Sequence, residues 1–232
     1  MSLPLRLLAA ALALPLVLAG CSGGDDAPEA KPDTLKPRLE TARKTLDGAT
    51  SLSFRLSTSK LPSGVTGLLE AQGKGNHQPA FDGKVKISTG GTTLDADVVA
   101  VGGTVYAKLG FSPSFVPIDP KSVGAPDPAS LMATEDGVSS LLTSTERLQQ
   151  GDRSRDGADV LTSIEGVLPG DVVQRLIPSA DSTARFDATY RLTDDDVLRD
   201  ATIEGPFYPG GDNVSYTIEV TASDENVDIT AP

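Results

Sequence analysis

Tryptophan is absent from this 232-residue chain, and cysteine and histidine occur once each. Each scarcity excludes something. The one cysteine, Cys21, cannot form an internal disulfide, and no Cys-based metal site can be assembled. The one histidine, His77, stands among Asn76, Gln78 and Pro79. It reads as a solvated turn residue, with neither a zinc site nor a Ser-His-Asp triad around it. With six Phe and four Tyr, the core must be built from Val, Leu, Ile and Ala. Basic residues are also few: 20 Lys and Arg against 32 Asp and Glu, a net charge of −12. Such a chain repels nucleic acid.

What is present begins with Leu16-Val-Leu-Ala-Gly-Cys21. An apolar run ending in a small-small-Cys triplet is the form of a bacterial lipoprotein signal, in which the thiol takes a diacylglyceryl group and the chain is cut before it. Leu5–Ala19 supplies the apolar segment, too short for a comfortable membrane span, behind Arg6 as the lone basic residue. The alternative is an ordinary signal peptide with an incidental cysteine. The expected organisation is a signal peptide at 1–20, a lipidated tether at 21–32 and one domain at 33–232, held at the extracytoplasmic face of the cell membrane. Residues 22–32 carry Gly23, Gly24, Asp25, Asp26, Pro28, Glu29 and Pro32 and no large apolar side chain, so they cannot order themselves by burial. Any dealings with lipid must run through apolar burial or the anchor, since there is no basic patch.

The domain opens with a helical pattern. Asp33 is placed to cap a helix over 34–47, with Leu35, Leu39, Ala42, Leu46 and Ala49 on one stripe and Gly48 as its stop. The period then changes to two. Leu52, Phe54 and Leu56 alternate with polar residues, and a second strand follows Gly64, with Gly73, Gly75 and Asn76 expected to break it. Over 81–109, three alternating runs are separated by Gly90-Gly91 and Gly102-Gly103, an antiparallel meander with Gly-Gly hairpins. Residues 111–130 hold Pro113, Pro117, Pro120, Pro126 and Pro128 and read as an irregular excursion. A helix over 134–145 would turn Val138, Leu141 and Leu142 inward. Two strands over 148–167, a short helix at 171–177, and strands over 186–192, 197–205 and 214–221 complete the order.

A long antiparallel sheet with helices inserted in its middle curls around them. The fold class expected is α+β, a curled half-barrel of antiparallel sheet packed over helices. Its Val, Ala, Leu and Ile lining leaves both a filled core and an apolar cavity open.

Catalytic motifs are weak. Ser57-Thr-Ser-Lys60 matches S-x-x-K and Lys86…Ser88-Thr-Gly90 faintly echoes K-T-G, but the serine ends a strand rather than starting a buried helix. Asp194-Asp195-Asp196 lacks the glycine and closing glutamate of a calcium loop and reads as a solvated turn. No enzyme, metal or cofactor is expected.

One pattern is familiar. Gly83-Lys-Val-Lys-Ile-Ser, Gly90-Gly91, Leu94-Asp-Ala-Asp-Val-Val and Gly103-Thr-Val-Tyr-Ala-Lys-Leu, followed by Asp119-Pro-Lys-Ser-Val and later Ala201 and Gly205, resemble the LppX/LprG family of actinobacterial lipoproteins, the LprG branch in particular. The resemblance runs over about 35–222 and is strongest at 83–109. It implies a LolA/LolB-like half-barrel with a large apolar cavity. It further implies binding of acylated lipids and glycolipids, such as triacylated phosphatidylinositol mannosides, lipoglycans or triacylglycerol, and their carriage through the envelope, in the LprG case beside a major-facilitator exporter. Val85, Ile87, Leu94, Ala96, Val98, Val105 and Ala107 match the family's cavity-facing strands, with Val99 and Val101 as substitutes. Phe54, Leu141, Leu142, Tyr190 and Ile218, from other inward faces, complete the candidate lining. The tryptophan-free 111–130 segment and the negative charge depart from the family and leave the headgroup open. The rivals are an envelope enzyme, and an adaptor or sensor with a filled core that binds proteins through 111–130.

Overall fold

The computed structural model describes residues 32–110, 112–210 and 212–232; the expected signal segment, Cys21 and the tether before Pro32 lie outside them. Helix α1 (Pro32–Asp47) is followed by strands β1 (Ser51–Ser57), β2 (Gly67–Asn76), β3 (Ala80–Thr89), β4 (Thr92–Val101), β5 (Thr104–Leu109) and β6 (Val116–Ile118). Two 3-10 turns (Pro120–Val123, Ser130–Met132) and helix α2 (Ser140–Ser144) cross to β7 (Glu146–Asp156) and β8 (Asp159–Pro169). Helix α3 (Gly170–Leu176), β9 (Arg185–Thr193), β10 (Leu198–Gly205) and β11 (Val214–Ser223) end the chain.

All eleven strands form one antiparallel sheet in the order β6-β5-β4-β3-β2-β1-β11-β10-β9-β8-β7. Each meander is local, but their union is not: β1 pairs with β11, from Ser51 opposite Ser223 to Ser57 opposite Thr217. The sheet stays open, with β6 and β7 as its edges. β7 is a largely exposed run that includes Glu146, Arg147, Asp152, Arg153 and Arg155, charges that discourage edge-to-edge pairing.

α1 packs by the expected stripe. Leu35, Leu39, Ala42, Leu46 and Ala49 are all buried. Two arginines fix the helix. Arg38 pairs with Asp196 and donates to Thr193 O (2.9 Å) in the β9–β10 turn. Arg43 pairs with Asp47 and donates to Thr143 Oγ1 (2.7 Å) and Thr134 O (2.9 Å), which holds α2 and its approach. The triple-Asp turn is therefore partly ion-paired rather than merely solvated, since Asp194 also meets Arg153 at 3.3 Å.

Three expectations need correction. Gly73 and Gly75 do not break β2; they lie inside it. Gly73 faces Gly83 across the β2–β3 pair, and the buried Phe81 ring stands over both. A Cβ at Gly83 would lie 2.2 Å from Gln72 O and 2.7 Å from Phe81 Cζ, and one at Gly73 would lie 2.6 Å from the same ring carbon. The missing side chains are the seat of an aromatic, not a strand end. The helix expected over 134–145 shrinks to Ser140–Ser144. The chain before it folds back so that Val138 N–H donates to Leu131 O (2.9 Å), and a Cβ at Gly137 would meet Ala133 O at 1.9 Å. Tertiary contact overrides helical spacing there. The Pro-rich segment also contains a strand, β6, paired to β5 through Val105–Ile118 and Ala107–Val116; a sheet edge tolerates Pro117 because the outward side needs no donor.

Gly83→Ala should lower stability by about 1–3 kcal/mol through overpacking. Gly110→Ala, where the new methyl has open space, should change it little. Urea midpoints of the two variants test this, and equal midpoints would contradict the close-packing account.

Candidate functional site

The concave face is not uniformly filled. Under β8 and β9 the core is solid: Ile164, Leu168, Phe186, Ala188, Tyr190 and Leu192 are almost wholly inaccessible. Under the first meander the sheet stands clear of what covers it, and a cavity of about 120 Å³ lies between.

Its floor comes from Phe54 and Leu56 of β1, Leu68 and Ala71 of β2, Phe81, Val85 and Ile87 of β3, Val98 of β4 and Val105 of β5. Ile203, Tyr216 and Ile218 continue it across β10 and β11, and Ile118 of β6 closes one side. The roof is Pro120, Gly124, Ala125, Pro126 and Pro128 with Leu131, Met132, Val138 and Leu141, and then Val173, Leu176 and Ile177 at α3. Period-two alternation explains the floor: residues at i and i+2 share one face. The opposite face carries charge pairs such as Lys84–Asp97 (2.8 Å), Lys108–Asp97 (2.9 Å) and Lys86–Glu70 (3.1 Å). Lys84 and Lys108 hold Asp97 below the usual carboxylate range, and Asp97 holds Lys84 above its own, chiefly through the Lys84–Asp97 hydrogen bond.

Among the described residues no charged side chain lines the cavity, and the side-chain oxygens there belong to Tyr208 and Tyr216. Both are committed. Leu68 sits where the β2–β3 register shifts, a bulge that leaves backbone groups to be satisfied elsewhere. Its N–H donates to Tyr208 Oη (3.1 Å), its carbonyl accepts from Tyr216 Oη (2.6 Å), and the phenols share a hydrogen bond of 2.6 Å. Phe207 meets Tyr216 edge-on at 5.1 Å.

Seven of the candidate lining residues come together at the cavity: Phe54, Val85, Ile87, Val98, Val105, Leu141 and Ile218. Ala96 and Ala107 share the floor's face, in register with Val85 and Val98, without reaching the void. Leu94, at the hairpin end of β4, is partly exposed. Leu142 and Tyr190 belong to the filled half, where they border a gap of about 10 Å³, the limit for one water. Tyr190 Oη bonds Thr145 Oγ1 at 2.7 Å. Val99 and Val101, the substitutes, do not line the cavity. The lining residues outside that candidate set include most of the roof, the Tyr208–Tyr216 pair, and Leu56, Leu68, Ala71, Phe81, Ile118 and Ile203 of the sheet itself. Tyr216 had a signal, the alternation it shares with Ile218.

His77 also differs from expectation. Instead of facing solvent alone, its Nδ1 lies 2.7 Å from Met132 O and its Nε2 3.1 Å from Leu46 O. It clasps the 3-10 turn of the roof to the end of α1. Ser57 and Lys60 remain at a strand end and a loop, and Lys86 is engaged with Glu70.

Size bounds what the cavity holds. At about 120 Å³ it approaches the roughly 150 Å³ engineered cavity that admits benzene, whereas a long acyl chain has more than twice benzene's carbons. The cavity is thus smaller here than one that holds whole acyl chains.

The molecule is an α+β curled-sheet protein, an open half-barrel with an apolar chamber beneath a Pro-rich roof. The chain belongs to the LppX_LprAFG lipoprotein family, whose model matches residues 32–231. It is 25% identical over 231 residues, 98% of this chain and 94% of the relative, to the lipoarabinomannan carrier protein LprG of Mycobacterium tuberculosis, and equally to that of Mycobacterium bovis. Its fold resembles the crystal structure of LprF from Mycobacterium bovis, with a TM-score of 0.68 at 15% identity over 88% of this chain and 99% of that one. It also resembles LppX from Mycobacterium tuberculosis, with a TM-score of 0.61 at 18% identity over 86% and 100%. No helix among the described residues is long and apolar enough to cross a membrane.

Burial pushes the phenols of Tyr190 and Tyr216 well above their usual range, with Tyr208 adding to the effect at Tyr216. The unfolded chain ionises them from about pH 10 while the folded chain keeps them neutral. Their contribution is whole below that pH and is lost as pH rises, by about 1.4 kcal/mol per pH unit for each tyrosine. Urea unfolding between about pH 9 and 11 should show a shallower decline for the Tyr190→Phe/Tyr216→Phe double variant than for the parent. Identical slopes would contradict the burial account.

Proposed function

We propose that this protein is a membrane-tethered carrier that binds acylated lipids or glycolipids in its chamber and moves them through the cell envelope. The observation that carries this reading is the chamber wall, which among the described residues has no charged side chain and whose two phenols are already bonded to the backbone and to each other. Membership of the lipoprotein family and similarity to proteins named as lipoarabinomannan carriers support it. Cys21, outside the described residues, is the proposed anchor.

The physical task is desolvation. Each methylene exposed to water costs about 0.8 kcal/mol, so two or three long chains leave a bilayer very slowly. A dry cavity removes most of that cost without making or breaking a bond, so the reading asks for no nucleophile, base or metal and for no enzyme activity. The chamber's volume sets a further condition: the roof must lift before a chain enters. The roof is suited to this. Its 120–129 portion bonds largely within itself, through Ala125 N–H to Pro120 O and Ser130 N–H to Asp127 O. Across the gap, Ser179 Oγ donates to Gly124 O at 3.1 Å.

The small volume and the solid second half favour one other reading, an envelope adaptor with a filled core. Lipid uptake separates the two. Val85→Trp, on the floor, should abolish uptake of a fluorescent diacyl lipid, whereas Lys86→Trp, on the opposite face of the same strand, should leave it within about twofold. Uptake by Val85→Trp equal to that of the parent would remove the chamber from the account.

A further inference from the structure

The described residues expose three large apolar side chains: Val116 at 53%, Ile118 at 39% and Val197 at 43%. Two of the three sit on β6, a strand of three residues at an open edge of the sheet. Val116 and Ile118 are two apart, so they share a face, and Ile118 also lines the chamber. Val116 is in register with Ala107 and Ile118 with Val105, itself a chamber residue. The apolar floor therefore runs without interruption to the sheet edge and out into solvent. On the same loop Phe115 lies beneath the Lys108 ammonium, 5.1 Å from ring centre to nitrogen.

We infer that this rim, Phe115 to Ile118, is a bilayer-docking lip that seats the chamber mouth in the lipid interface. The inference rests on the carrier reading for its purpose. Three observations select a membrane rather than a protein strand. Pro117, in the middle of β6, deprives the free edge of an N–H, so strand addition there is poorly supported. The segment 104–124 carries Lys121 against Asp119, while its other charge, Lys108, is paired with Asp97 on the opposite face, so in a chain of net charge −12 it is a near-neutral stretch that anionic headgroups repel little. In the anchored reading, Cys21 and Pro32 are separated by a span of at most about 40 Å when fully extended, comparable with the diameter of a domain of this size. A tether of that length lets the domain turn its rim to the bilayer. Once seated, it lets an acyl chain pass from bilayer to floor along Val116 and Ile118 without crossing water.

The test uses the full-length lipid-anchored protein in phosphatidylcholine vesicles that contain doxyl-labelled phosphatidylcholine. A polarity-sensitive fluorophore is attached at Val116→Cys and, separately, at Val197→Cys, the exposed apolar position in the β9–β10 turn; acylation consumes Cys21. The fluorophore at 116 should shift to the blue and be quenched, and the one at 197 should show neither change. Equal behaviour at the two positions would overturn the lip. A second measurement separates the lip from the carrier reading. Val116→Asp should take up pyrene-labelled phosphatidylcholine from vesicles several-fold more slowly than the parent, to the same final level. An unchanged rate would count against the lip. Absence of uptake by the parent, with position 116 still quenched, would leave the lip standing and overturn the carrier reading.

Discussion

The pairing of the first strand with the last is the constraint on which the rest depends. β1 and β11 join across nearly the whole domain, Ser51 to Ser223, and without that seam the chain would be two separate meanders with four edges. With it there is one sheet whose inherent twist accumulates into a curl. The inner face of that curl is where α1, α2, α3 and the Pro-rich segment find cover. The seam also carries Phe54, Leu56, Ile218 and Val220 on its inner side, so it is both the joint of the sheet and part of the chamber floor. Contacts this distant in sequence are costly to form in loop-closure entropy, and the burial along the seam offsets that cost.

Filling is uneven on either side of the seam, and side-chain size accounts for much of it. Toward β8 and β9 the inner face holds the large side chains Ile164, Leu168, Phe186, Tyr190 and Leu192, and Tyr190 Oη reaches Leu141 O of α2. Toward β4 and β5 it holds the smaller Ala96, Val98, Val105 and Ala107, and Val98 and Val105 border the void. In its 120–129 portion the roof faces that floor with proline, glycine and alanine, and it is anchored from its far end by His77 and Arg43. The polar necessities of the region, a bulge at Leu68 and two buried phenols, satisfy one another. The chamber wall is left apolar as a result.

Much of this was legible in the chain. The α1 stripe, the Gly-Gly hairpins and the alternation of β3, β4, β5, β9 and β11 follow directly from local period, which puts Val85 with Ile87 on one face; that this face and those of Val98 and Val105 are the inner ones came from the family resemblance, with Val99 and Val101 left as substitutes. Local period does not say which strands join at a distance, so the β1–β11 seam was not foreseen. Nor does it distinguish a filled inner face from a hollow one, which is why Tyr190 and Leu142 were grouped with a cavity they do not border. Gly73 reads as a break only while Phe81 and Gly83 are unseen. The helix at 134–145 fails because Gly137 is held against Ala133 O, and His77 appears solvated until α1 and the roof arrive on either side of it.

The central claim is that the chamber takes acyl chains. Native mass spectrometry of the protein from Ser22 onward, purified without detergent from a bacterium with a related envelope, tests it most directly. The account predicts a stoichiometric added mass that organic extraction resolves into a di- or triacylated lipid or glycolipid. A folded protein that carries no such mass, and that gains none after mixing with acylated lipid, would contradict it.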